Sequence, residues 1–437
     1  MTELVQASEK ELYLSDLKKV EAVAAPAWLK RIREAGATRF GELEFPHRKM
    51  EQWRFTNVGP IVGTRFASNT EPSAAPNADA VKPLLFGEEG WTELVFVDGF
   101  YSAALSRLGE LPRGVRAGSL AEAVAKGDAL VEAHLSRYAG VNGNIFSALN
   151  AAFIQDGAFV HVPADVVVEQ PIHLLFVSTA RPDTASYPRN LVVLERQAEA
   201  QIIETYASLA DGRYFTNAVT ELALGEGANL KRYGVQREAR EAYHLSTVKA
   251  HQERSSVFTS YAVSMGAKIG RNELISTLDG EGAECSLNGV YMVDGDQLID
   301  NATSIEHMHP HGTSWIGYKG ILDDKASAVF SGQIYVARDA QKTDSKQLNN
   351  NLLLSDTATI NTKPLLEIYA DDVKCTHGAT VGPPPEEIIF YFQTRGMSAA
   401  MARGMLTYGF AGEIVNAIGV KPLRDRLDKF VYDRYSP

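Results

Sequence analysis

Cysteine is scarce in this 437-residue chain: Cys285 and Cys375 are the only two. That excludes a disulfide framework and any all-cysteine metal cluster held by the chain alone, and it points to a reducing compartment, the cytoplasm. Positive charge is also short, 43 basic residues against 54 acidic ones for a net charge of −11, which excludes a general nucleic-acid or anionic-membrane binder. No apolar run reaches the roughly 18 residues that span a bilayer. Met1 to Glu11 carries acids and lacks an apolar core, so no signal or transit peptide is expected there. The common catalytic signatures are missing too. There is no G-x-x-x-x-G-K-[ST] phosphate loop, no H-E-x-x-H and no G-x-S-x-G, and Gly225-Glu226-Gly227 lacks the third glycine of a dinucleotide fingerprint.

What is present falls into three stretches, 1–155, 156–385 and 386–437. In the first, Leu12, Leu14, Leu17, Val20 and Val23 recur near helical spacing, and Pro26 opens a second helix through Ile32 and Phe40. Trp91 to Tyr101 predicts a strand with a Gly turn. Ser119 and Glu122 form a capping box for a helix running to Leu135. The middle stretch is rich in Val, Ile, Thr, Tyr and Phe, in short runs separated by small-residue turns. Ala200, Ala228, Ser256 and Ala283 mark matching points 28, 28 and 27 residues apart, and the cadence returns less evenly at Ala326 and Ala358. A period in this range signals stacked coils of two or three strands, a β-solenoid, with a β-sandwich as the alternative. After Pro383-Pro384-Pro385 the chain turns helical: Glu386-Glu387 open a short helix, Ser398 to Phe410 is rich in Ala and Met, and Glu413–Ile418 and Leu423–Tyr432 follow.

Two patches carry possible metal chemistry. His307 and His309 sit at alternate positions of Glu306–His311, where a strand would point both to one face and let them share a secondary metal; a turn with solvated imidazoles is the other reading. Cys375 and His377 stand two apart in Asp371–Thr380, so an extended strand gives them a common face and two of the four ligand positions of an iron or zinc site. A Cys–His nucleophile is a second reading of that pair, and a packed thiol beside a turn histidine is a third.

The second patch lies in a longer string: Gln341–Gln347, Asn351–Ser355, Pro364–Ile368, Ala370–Cys375 and His377–Gly382, continued by Tyr391–Gly396 and Leu406–Phe410. This string resembles the SufB/SufD family of iron–sulfur cluster assembly proteins. Pro46–Thr56 and the low cysteine count are closer to the SufD members than to the SufB members. The resemblance implies a mainly β fold, a right-handed parallel β-helix core flanked by N-terminal and C-terminal helical regions. It implies a non-catalytic subunit that pairs with SufB through the β-helices and binds the ATPase SufC through the C-terminal helices, where Ala399, Ala402, Leu406 and Phe410 lie. ATP hydrolysis would then belong to SufC. It further implies a transient iron or iron–sulfur cluster at the SufB interface, at His377 with Cys375 beside it, and a role in iron acquisition. Some complexes of the family are linked to a reduced flavin, although no flavin motif is evident in this chain. The triple proline replaces a family Leu-Asp pair and bears on how the terminal helices are hinged.

Two other classes compete with this reading. A β-helix also suits polysaccharide lyases and hydrolases, for which Asp294, Asp296 and Asp300 are the candidate acids. A free-standing homodimer that stores iron is the third possibility.

Overall fold

The computed structural model describes residues 3–436; Met1 and Thr2, part of the opening segment read above, lie outside the described residues. From Ala158 the β-branched and aromatic runs form strands, many ten residues long, that alternate between two sheets. Along the solenoid each strand lies parallel to the equivalent strand of the next coil. One sheet stacks Lys374–Gly382 on Asp344–Leu353, then Thr313–Leu322, Glu284–Val293, Val257–Ser264, Asn229–Arg237, Glu199–Ser208 and Ile172–Ser178. The other runs from Thr359–Ile368 through Ser327–Val336 and Leu298–His307 down to Ala158–Val162. The result is a parallel β-helix of about 8 turns, the fold expected from the period.

Period-2 alternation gives each strand a face toward the lumen. Ile202, Leu230, Phe258, Leu287 and Ile316 line one wall, and Leu222, Val248, Leu274, Ile305 and Ile334 line the other, all buried. The pairing corrects one step of the predicted repeat. Ala200 stands opposite Leu230, not Ala228, so that coil is two residues longer than its neighbour; its turn absorbs them. The uneven cadence at Ala326 and Ala358 belongs to the second sheet, where Ser327 pairs with Thr359.

The N-terminal helices Glu3–Glu21, Ala27–Glu42 and Ile145–Ala152 cover the outer face of the second sheet, with Tyr13, Leu17, Phe40 and Phe45 packed toward Phe215, Tyr243 and Ile269. This region also contributes strands. Thr92–Val97 adds to the first sheet beside Ile172–Ser178, turns through Asp98 and Gly99 at positive φ, and Arg116–Ser119 closes the second sheet antiparallel to Ala158–Val162. The helix expected from Ser119 to Leu135 is two. Ser119 Oγ accepts from Glu122 N (3.1 Å), but Gly127 takes a φ of +70°, and Asp128 caps a second helix, Ala129–His134. The C-terminal helices Glu386–Gln393, Ala399–Val415 and Lys421–Tyr435 cover the first sheet, with Ala411, Val415, Leu423 and Leu427 in one cluster with Tyr233, Val263, Val290 and Ile321. Of the helix expected at Glu413–Ile418, only Glu413–Val415 is helical, as the end of the middle helix, with Asn416 as its C-cap. Among the described residues no helix is long and apolar enough to cross a membrane.

Candidate functional site at the open end of the β-helix

Thr359–Ile368 and Lys374–Gly382 are the last strands of their sheets, so each has a neighbour on one side only. The backbone groups on the far side form an edge able to accept another strand. The lumen is open here. Ile368 is 37% exposed and Val381 48%, whereas Val336, one coil below Ile368, is fully buried. Tyr369 and Leu365 add exposed apolar surface along the same edge.

Cys375 and His377 lie on this last strand. Cys375 is in register with Ser345 and His377 with Gln347, both buried lumen residues, so the thiol and the imidazole occupy the lumen-facing side about 7 Å apart along the strand. Cys375 is half-buried and His377 exposed, because no coil covers them. Burial, and then the charge of Asp344, pushes the Cys375 thiol pKa up. The isolated chain therefore keeps the thiol protonated, which removes the activation a Cys–His nucleophile needs. Among the described residues no group of three or more His, Cys, Asp or Glu is placed to hold a metal ion. The pair offers two donor side chains on one face of the last strand.

The other predicted residues are placed elsewhere. His307 ends its strand, buried, with Nε2 2.9 Å from Ser314 Oγ, and burial lowers its pKa to about 4. His309 lies past the strand end at the surface, 3.3 Å from Asp279, so the two imidazoles do not converge. Cys285 is sealed in the lumen, its pKa pushed up by burial to about 12, and is an inert thiol. Of the helix residues, Ala402 is fully buried, while Ala399, Leu406 and Phe410 are half-buried; Lys319 Nζ lies 4.4 Å from the Phe410 ring centroid and pairs with Glu413. The solvent side of these helices carries Phe390, Tyr391, Met401 and Met405 instead. Asp294 lies in a Gly295 turn and pairs with Arg434 (2.6 Å), Asp296 is exposed, and Asp300 is buried, so these acids do not share a groove.

The sequence reading missed what fixes the last coils from outside. In the Pro46–Thr56 segment, Trp53 packs its ring 4.0 Å from the Arg271 guanidinium, Arg271 pairs with buried Asp300, and Thr56 Oγ1 donates to Asp300 (2.5 Å). Glu51 of the same segment pairs with Lys363 on the terminal strand Thr359–Ile368. The density of aromatic and charged side chains in that segment was the available signal.

Two family models match the chain. Residues 176–410 match the SufBD core domain of the SUF system for FeS cluster assembly, and residues 6–174 match the SufBD protein N-terminal region. An iron–sulfur cluster assembly SufBD family protein of Synechocystis is 34% identical, over 99% of this chain and 97% of its own length. The iron–sulfur cluster assembly protein SufD of Escherichia coli is 31% identical over 87% of each chain. SufD of Bacillus subtilis is 27% identical over 92% of this chain and 93% of its own.

Proposed function

The chain belongs to the SufBD family of the SUF system for iron–sulfur cluster assembly, and we propose that it serves there as a SufD-type scaffold subunit that catalyses no reaction of its own. Its open β-helix end pairs with SufB, and the nascent cluster forms at that seam, with His377 as a ligand and Cys375 beside it. The observation that carries this reading is the uncapped last coil: two free strand edges, exposed apolar residues and an incomplete donor pair at one place. An exposed flat edge invites strand addition, and a second β-helix end would extend both sheets and bury Ile368, Tyr369 and Val381. Iron and cluster are cargo here. A flavin, if one serves the complex as a reductant, has no assigned residues in this chain.

SufC docks on the C-terminal helices. Phe390, Tyr391, Met401 and Met405 form an exposed apolar face suited to that contact. ATP-driven approach of two SufC copies would then pull on Ala399–Val415. That helix packs on Glu284–Val293 and Thr313–Leu322, so the pull reaches the strands beneath the open mouth. With only two donors, the isolated chain holds iron weakly.

The test is His377→Ala in the co-expressed complex. Assembly with SufB and SufC is expected to be unchanged and cluster accumulation lost. Normal accumulation in that variant would overturn the assignment.

A further inference from the structure

The wall of the lumen formed by Asp344–Leu353 is polar, and most of its side chains hydrogen-bond to one another or to the neighbouring strands. Tyr291 Oη and Asn351 Oδ1 are 2.5 Å apart, Asn351 Nδ2 donates to Asn349 Oδ1 (2.7 Å) and to Thr380 O (3.3 Å), and Asn349 Nδ2 donates to Tyr318 O (3.2 Å). Ser314 and Ser345 share a hydrogen bond of 2.6 Å. Gln347 lies between Ser345 and Asn349 on the same face of the same strand and leaves both of its amide atoms unpaired, whereas His307 Nδ1, Asn301 Nδ2 and Thr362 Oγ1 are single unpaired atoms. Gln347 is 3% exposed, and neither Nε2 nor Oε1 has a protein partner. A buried amide left this way is costly and calls for an explanation.

Its placement supplies one. Gln347 is the direct register neighbour of His377, one strand spacing of about 4.8 Å away. Its amide crosses the lumen to Gly332, where a Cβ would stand 2.3 Å from Nε2, so the glycine is what lets the amide lie there. Thr362, on the terminal strand of the opposite sheet, also has a buried Oγ1 without a partner. The lumen-facing residues of the last two coils on these strands include no Asp or Glu. Neutral N–H and O–H donors without a carboxylate suit an anion rather than a bare cation.

We propose that Gln347, assisted by Thr362, is a positioning residue that donates its amide N–H to an anionic sulfur of the cargo held at His377. The proposal rests on the reading of His377 given above. Hydrogen bonds to sulfur orient it and raise the reduction potential of an iron–sulfur cluster.

The experiment uses the co-purified complex supplied with ferrous iron and inorganic sulfide. Gln347→Leu keeps the volume and removes the donors. Gly332→Ala keeps the amide and displaces it. Both complexes are expected to assemble normally, to build clusters about tenfold more slowly for the leucine variant and less so for the alanine variant, and to hold clusters of more negative potential. Wild-type rate and potential in Gln347→Leu would overturn the role of Gln347 and leave His377 standing. Normal accumulation in His377→Ala, measured alongside, would overturn the underlying reading instead. Should Gln347→Leu fail to assemble, the Gly332→Ala potential decides: a more negative value supports the proposal and an unchanged one refutes it.

Discussion

Leu94 and Phe96, the first rungs of the lumen, are sealed beneath Tyr101, Leu111, Val115 and Ala117, whereas Ile368 and Val381, the last rungs, stand at the surface. The same solenoid thus meets water in two ways. At the N-terminal mouth the chain finishes its own sheets with antiparallel strands. It also satisfies the buried polar groups there: Asp156 accepts from Ser119 Oγ (2.7 Å) and from the amides of Tyr101 (2.8 Å) and Ala121 (3.1 Å). Nearby, Arg189 and Glu221 are both fully buried and pair at 2.6 Å, and Glu221 accepts from the amides of Ser136, Tyr138 and Ala139. At the C-terminal mouth no strand among the described residues closes the sheets. The chain closes one end of its solenoid and leaves both sheet edges free at the other.

That contrast sets the expected order of effects. Arg189→Met at the closed end strands a buried carboxylate and should cost about 3–5 kcal/mol of stability, read as a lower denaturant midpoint. Phe96→Ala, which removes a ring stacked 4.8 Å from Phe176, should cost about as much, roughly 3–5 kcal/mol. Between the two ends, His307 should make the fold acid-sensitive. Burial lowers its pKa in the folded chain to about 4, below the ordinary 6.5 of a solvated imidazole, so the unfolded state binds the proton first. Stability is intact above pH 6.5 and falls as the pH drops toward 4, by about 3 kcal/mol in total. Denaturation midpoints across that range should show the loss, and His307→Gln should flatten it. At the open end, Val381→Asp and Ile368→Asp should change the isolated chain by no more than about 0.5 kcal/mol. Their effect should appear in co-purification, where pairing with SufB is lost. If instead they unfold the chain, the two ends do not differ as described.

The solenoid was legible because its turns repeat small residues at nearly constant spacing and its strands are β-branched. The strands at Thr92–Val97 and Arg116–Ser119 were harder to assign to it, since they join the sheets only through distant partners. The Cys375–His377 pair was legible because both fall inside one strand, where alternation holds. His307 and His309 failed the same rule because the strand ends at His307. Asp300 shares the even spacing of Asp294 and Asp296, but its partner Arg271 and the covering Trp53 come from elsewhere in the chain. Gln347 lies in the resemblance string, but nothing in its own chemistry marked it: in Lys346–Asn351, polar except for Leu348, only strand pairing reveals which residues face the lumen.

Amide hydrogen exchange along Thr359–Ile368 and Lys374–Gly382 most directly probes whether a second subunit finishes the solenoid. In the chain alone the outward amides of both strands should exchange rapidly, and joining SufB should slow them by about a hundredfold while the N-terminal rungs stay unchanged. Equal exchange in the free chain and in a complex shown to have formed would contradict the account.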